Sequence, residues 1–259
     1  MSTCWKRASC LGALLAALVL VGCGDGDAGP TATLTTVETA FAPETPQPTS
    51  TPTETPVPAT PTPRGTVLPD NTIVVACGDI LAPLDKTHRL TQDCVPQDLE
   101  ALPAEIVASA GQRLRKDAAA AYKELFAAAQ KDGYTIVAAS AYRNYQEQVS
   151  AYSSHVNRGG QAYADRVSAR PGHSEHQLGT TTDVTSVSAG YGLESFEGTP
   201  EAAWLAEHSW EHGFIVSYPD GKESITGYVY EPWHIRWLGK DEAAKVRASG
   251  LTLHDYLLQ

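Results

Sequence analysis

Two short segments of this chain carry side chains that can do hydrolytic chemistry. The first is Pro171-Gly172-His173-Ser174-Glu175-His176-Gln177-Leu178-Gly179-Thr180-Thr181-Thr182-Asp183, and the second is Glu231-Pro232-Trp233-His234. A loop leading into a strand lets His176 and Asp183 reach one ion. His234 would be the third ligand, from the other segment. Three protein ligands with one coordination position left open is the donor set of a catalytic zinc site, whereas structural sites close all four. Glu231, on the same segment as His234, is placed to take a proton during attack on a carbonyl and to return it to the leaving group. Because one ligand is an aspartate, the set is less selective than an all-sulfur site, and a different divalent metal is the competing reading.

Each of these residues has a plainer explanation when taken alone. His234 reads equally as a structural histidine on a strand, Asp183 as a turn or cap residue, and Arg143 as a surface charge. Their combination is what points to a metal. His173 reads as a loop or rim residue. His208 and His212 lie at helical spacing but lack a Glu after the first His, so they read as an exposed helix face rather than a zincin pair.

The elements that must position these residues follow from apolar spacing and from breakers. Residues 110–131 form an Ala-rich helix stopped by Gly133, and 134–139 a short buried strand. Residues 145–156 are helical, and 179–184 form a strand behind the Pro171-Gly172 turn. A helix at 201–212 and a strand at 214–218 follow. A strand at 228–237 carries both Glu231 and His234, and helices at 240–248 and 253–258 finish the chain. Long helices with short later strands indicate an α+β fold, with a small, mostly antiparallel sheet flanked by helices.

The start of the chain speaks to where it works. Lys6 and Arg7 precede an apolar run from Leu11 to Val21, shorter than the roughly twenty residues a membrane span needs, so residues 1–22 read as an export signal. The run ends Leu20-Val21-Gly22-Cys23, which resembles the lipobox of bacterial lipoproteins. Cys23 would then carry the lipid and hold the protein on the outer face of the cytoplasmic membrane, each buried methylene contributing roughly 0.8 kcal/mol. Residues 23–70 are otherwise dominated by Pro and Thr. They have too little apolar surface to pack and form an extended stalk with a reach on the order of 100 Å. The folded domain is then 71–259. Cys4 and Cys10 leave with the signal, so Cys77 and Cys94 remain as a disulfide pair in an oxidising compartment. The chain of 259 residues carries a net charge of −11, which argues against a nucleic-acid partner. A monomer is expected.

Three ordered blocks resemble a known family. They are Ser140-Ala141-Tyr142-Arg143-Asn144-Tyr145 with Gln148, then Pro171-Gly172 through Gly179, then Thr226-Gly227-Tyr228 with Tyr230-Glu231-Pro232-Trp233-His234-Ile235-Arg236-Trp237. They are similar to the blocks of the VanY-type D-alanyl-D-alanine carboxypeptidases, zinc D,D-peptidases of the M15 class, over about Leu114 to Trp237. The resemblance implies zinc held by His176, Asp183 and His234, with Glu231 as general base and Arg143 facing the substrate carboxylate or the oxyanion. It also implies Tyr142, Gln148 and Ser174 in the peptide groove, and a zinc D,D-peptidase-like fold. The implied activity is removal of the C-terminal D-alanine from peptidoglycan stem peptides. The alternatives are an L,D-carboxypeptidase acting on tetrapeptide stems and a non-catalytic wall-binding lipoprotein. Thr181 stands where the family usually has alanine. Ser217 stands where an arginine is frequent, a change expected to bear on the substrate rather than on the zinc chemistry.

Overall fold

The computed structural model of the chain describes residues 65–259. The segment expected to be an export signal, Cys23 and the Pro/Thr-rich segment as far as residue 64 lie outside the described residues. β1 (Thr66–Val67) pairs antiparallel with β2 (Ile73–Val74), which pairs parallel with β3 (His88–Arg89). Residues 66 and 67, which the sequence reading assigns to the stalk, therefore belong to the folded unit. A disulfide joins Cys77 to Cys94.

β4 (Leu99–Ala101) pairs antiparallel with β5 (Arg113–Arg115), so α1 begins at Lys116 and runs to Lys131 rather than starting at Ala110. The displaced residues have partners remote in sequence. The Arg115 amide donates to the Gly179 carbonyl at 2.7 Å and its Nε to the Leu178 carbonyl at 2.8 Å. α1 buries Ala118, Tyr122, Leu125, Phe126 and Ala129 at helical spacing.

The second layer is a four-stranded sheet of order β6-β7-β9-β8: β6 (Ile136–Ser140), β7 (Thr181–Ser186), β8 (Phe214–Val216) and β9 (His234–Trp237). Every pairing in it is antiparallel. Between β6 and β7 lie α2 (Tyr145–Gly159) and α3 (Gln161–Val167), the latter not anticipated from sequence. α4 (Pro200–His208) precedes β8, and α5 (Glu223–Thr226) lies between β8 and β9. α6 (Lys240–Ser249) and α7 (Leu253–Leu257) close the chain. The α1 face packs against Ile136, Val184, Phe214 and Ile235 of the sheet in one core, and Tyr122 meets Phe214 edge to face at 6.1 Å. The fold is α+β with small antiparallel sheets and flanking helices. No helix among the described residues is long and apolar enough to cross a membrane.

The expected strand at 228–237 is shorter than its pattern suggests. Only His234–Trp237 joins the sheet. Pro232 has no N–H to give a ladder, and the His234 amide donates instead to the Glu231 carbonyl at 3.1 Å, closing a turn. Glu231 therefore sits on a turn, ahead of the strand.

Candidate metal centre

Register brings the first two ligands together. Asp183 on β7 pairs directly with His234 on β9, so their side chains leave the same face of adjacent strands. A β-bulge between Ala138 and Ser140 brings the end of β6 opposite Asp183. The third ligand arrives on a single 3₁₀ turn, Glu175–Leu178, which Gly179 ends in the left-handed region at φ 72°. The left-handed φ favours glycine there, and a Cβ would stand 3.0 Å from Leu99 Cδ2, a tight fit.

The nitrogens of both histidines are sorted by their outer partners. His176 Nδ1 donates to the Ala141 carbonyl at 2.7 Å, which leaves Nε2 facing Asp183 Oδ2 at 3.3 Å. His234 Nε2 donates to Glu175 Oε2 at 3.0 Å, which leaves Nδ1 facing Asp183 Oδ1 at 2.9 Å. The three inward atoms lie within 4.8 Å of one another, and all three residues are buried. Two imidazoles whose outer N–H groups are already committed, together with one carboxylate, fit a divalent ion with nitrogen and oxygen preferences. Glu231 Oε2 lies 3.7 Å from His234 Nδ1.

Charge in this cluster is set by burial and then by neighbours. Burial pushes the Glu231 carboxyl up to about 8, although His234 pulls the other way. Burial disfavours charge on His234 too, yet its contacts with Asp183 and Glu175 raise it to about 10. Burial holds His176 below the usual histidine value. Asp183 is pushed up by burial and pulled further down by both histidines, ending well below the carboxylate range.

An outer layer escaped the sequence reading. Glu175 is buried, which raises its carboxyl, but the Arg236 guanidinium outweighs this and holds it at about 2. Arg236 Nη1 donates to Glu175 Oε1 at 2.8 Å, and Ser217 Oγ donates to Glu175 Oε2 at 2.6 Å. Ser217 thus supports the carboxylate behind His234. Strand alternation carried a signal for Arg236: two positions from His234, it shares that face of β9.

The centre opens into a cavity of about 640 Å³ lined by Arg143, Gln148, Ser174, Tyr228, Glu231 and Trp233, among others. Arg143 is placed by the start of α2. Asn144 Oδ1 accepts from the Glu147 amide at 2.9 Å, and Glu147 Oε2 accepts from the Asn144 amide at 2.8 Å, a capping box that fixes the chain direction beside it. Ser174 lines the cavity. Gln148 lines it as well, while its Nε2 is anchored by the Ala169 carbonyl at 2.6 Å. Tyr142 is not among the lining residues. Its amide donates to the Arg113 carbonyl at 2.9 Å and its ring lies under the Arg113 guanidinium at 5.3 Å, so it packs on β5 instead. His173 lies outside the His176–Asp183–His234 group, and its Nδ1 donates to the Asp85 carbonyl at 2.7 Å. His208 pairs with Glu211 at 3.1 Å and forms no metal group with His212.

A profile of the VanY D-alanyl-D-alanine carboxypeptidases matches residues 111–240. The chain belongs to the VanY family. It is 38% identical over 182 residues to the putative carboxypeptidase YodJ of Bacillus subtilis, covering 69% of this chain and 67% of that protein. Among solved structures it resembles the LdcB LD-carboxypeptidase (37% identity, TM-score 0.67, 72% of this chain and 90% of that one). It also resembles a D,D-pentapeptidase VanY from a VanB-type resistance cassette, solved with Zn(II) (30% identity, TM-score 0.59, 70% of this chain and 99% of that one). The His–Asp–His group of this VanY-family chain is a zinc centre, and the chain is a metallocarboxypeptidase.

Proposed function

We propose that this protein removes the C-terminal D-alanine from peptidoglycan stem peptides and does so outside the cell, tethered by lipid on Cys23. The observation that carries the catalytic reading is the position of the Glu231 carboxylate, 3.7 Å from the inward nitrogen of His234 on the open side of the ligand set. A zinc ion held by His176, Asp183 and His234 supplies Lewis acidity to the scissile carbonyl and to the attacking water. Glu231 takes one proton from an attacking water at its carboxylate oxygen as the water oxygen bonds to the carbonyl carbon. It delivers the proton to the amide nitrogen as the C–N bond breaks, so the D-alanine leaves as an amine. Arg143 meets negative charge in the cavity, either the terminal carboxylate or the oxyanion; its forked, fixed-charge donors suit both. Ser174 and the Gln148 side chain contribute polar wall to the peptide groove.

A second reading has support of its own. Similarity to the LdcB LD-carboxypeptidase, at 37% identity, exceeds that to the zinc-bound VanY, at 30%, which favours tetrapeptide stems as the competing substrate. Incubating the full-length protein with defined pentapeptide and tetrapeptide stems and weighing the products separates the two. Loss of one alanine from the pentapeptide alone is the expected result. Release from neither stem, by protein shown to contain zinc, would leave a wall-binding role and overturn the enzymatic one. Globomycin-sensitive processing, with membrane release on Cys23→Ala, tests the tether.

A further inference from the structure

The loop closed by the Cys77–Cys94 disulfide lies outside the matched catalytic segment, residues 111–240, yet it grips the segment that carries His176. The Leu90 amide donates to the Gly172 carbonyl at 2.8 Å, and a Cβ at Gly172 would stand 3.0 Å from the Leu90 oxygen. His173 Nδ1 donates to the Asp85 carbonyl at 2.7 Å. Gln177 Nε2 donates to the Thr91 carbonyl at 2.9 Å and to the Cys94 carbonyl at 3.3 Å. Leu178 is packed in a small core with Val75, Ala82, Leu84, Leu90 and Cys94.

The same loop holds the far end of the outer layer. Arg236 is fully buried, and its Nη2 donates to the carbonyls of Ile80 at 2.9 Å and Ala82 at 2.7 Å. Its Nη1 donates to Glu175, and Glu175 accepts from His234 Nε2. A continuous chain of contacts therefore runs from the loop backbone to a metal ligand. Little in the loop is regular: only His88 and Arg89 lie in a strand. Its shape depends on the disulfide at its neck and on the contacts just named. Partners of this kind set the orientation of ligating imidazoles, and their removal commonly weakens metal affinity or activity by 10- to 100-fold.

We propose that the disulfide-closed loop 77–94 is a positioning element of the zinc centre: the Ile80 and Ala82 carbonyls fix Arg236, Arg236 fixes Glu175, and Glu175 fixes the His234 ring, so that opening the loop weakens zinc binding. The inference rests on the His–Asp–His zinc site described above. Arg236 acts here through Glu175 and touches neither metal nor substrate.

The test uses the full-length protein, oxidised, against the double variant Cys77→Ser/Cys94→Ser. Zinc affinity is read by competition with a chromophoric chelator. Coordination geometry is read from the visible spectrum of the cobalt(II)-substituted protein, and folding from the thermal midpoint. The expected result is zinc affinity lower by on the order of 10-fold or more together with an altered cobalt spectrum, in a protein still folded at the assay temperature. Unchanged affinity and spectrum with a lowered thermal midpoint would make the disulfide a simple staple and overturn the proposal. Should the double variant fail to fold, Arg236→Lys in the disulfide-intact chain takes its place, because a single ammonium facing Glu175 cannot also hold the Ile80 and Ala82 carbonyls. A several-fold loss of zinc affinity supports the proposal, and none at all refutes it. Wild-type protein that binds no zinc would instead sink the zinc site itself, and the loop's role with it.

Discussion

Zinc binding to this chain should release protons, and the residues around His234 say how many. In the metal-free arrangement His234 is buried, which disfavours its charge, but Asp183 and Glu175 on either side lift it to about 10. At neutral pH the ring therefore holds a proton on Nδ1, the nitrogen a metal must take. Displacing it near pH 7 costs about 4 kcal/mol, at about 1.4 kcal/mol per pH unit. Burial lifts Glu231 to about 8, so its carboxyl is also mostly protonated there, and a divalent cation close by would draw it back to the charged form. His176, lowered by burial, and Asp183, held ionised, have no proton to give at that pH. The expected count is about two protons per ion, so the logarithm of the zinc affinity should climb by about two per pH unit between roughly pH 6 and 7.5. Calorimetric titration of zinc into the apoprotein in buffers of different ionisation heat reads this number directly. Glu231→Gln should lower it to about one while zinc still binds. Identical heats in phosphate and Tris would mean that no proton moves. The assignment of a protonated His234 between two carboxylates would then be wrong.

Other outcomes follow from the same geometry. Glu231→Gln should cut turnover by about 10²- to 10⁴-fold, with zinc content by metal analysis unchanged; turnover near wild type would remove Glu231 as the proton carrier. Arg143→Lys keeps the charge but loses the fork, and should lower kcat/KM on pentapeptide stems by about 10²-fold; an unaltered value would place the substrate's negative charge elsewhere. Burial raises the Asp85 carboxyl, but hydrogen bonds with His254 and His88 outweigh it and hold it well below the carboxylate range, while His254 is raised by the same contact. The depressed acid stabilises the fold above about pH 4 and loses this as pH falls. The raised histidine stabilises it below about pH 6.5 and loses this as pH rises through its folded value. Urea unfolding should therefore show Asp85→Asn costing about 3–5 kcal/mol near pH 5.5, and a wild-type stability from this cluster that declines on both sides; equal stabilities at that pH would refute the pairing.

Much of the ligand set was legible because its residues sit in local patterns that obey simple rules. The short strand after Gly179 and the histidine on a later strand both appear where apolar spacing and breakers put them. Their pairing in register, Asp183 opposite His234, is a tertiary fact that no single segment contains. The turn at Glu231 was misread as strand because the flanking Tyr, Val and Trp favour β structure, while Pro232 gave the opposite signal. Tyr142 was misplaced for a similar reason: its neighbours are all site residues, but its amide and ring are bound to Arg113, remote in sequence. Glu175 and Arg236 stood in plain view within the quoted blocks. Their role depends on the carbonyls of Ile80 and Ala82, about 155 residues upstream of Arg236, and backbone acceptors leave no trace in side-chain pattern.

The division between rigid and free groups at this centre is what suits it to hydrolysis. Each ligand is locked from behind: His176 by the Ala141 carbonyl, His234 by Glu175, and Asp183 by its place in the middle of the sheet. Such fixation keeps the ligand geometry constant through a reaction cycle. Glu231 is held differently. Its backbone is pinned at both ends, the amide donating to the Tyr218 carbonyl at 3.0 Å and the carbonyl accepting from His234 at 3.1 Å. Among the described residues, however, its carboxylate accepts no hydrogen bond. A group that must collect a proton at one oxygen position and release it at another needs a fixed root and an uncommitted head. Burial adds the remaining requirement: it raises the proton affinity of the Glu231 carboxyl, while a cation held by the neighbouring ligands lowers it, and the two opposing influences bring it toward the range in which a group can both take and return a proton. A strand position, with its side chain packed against a neighbour, would have supplied the burial but not the freedom.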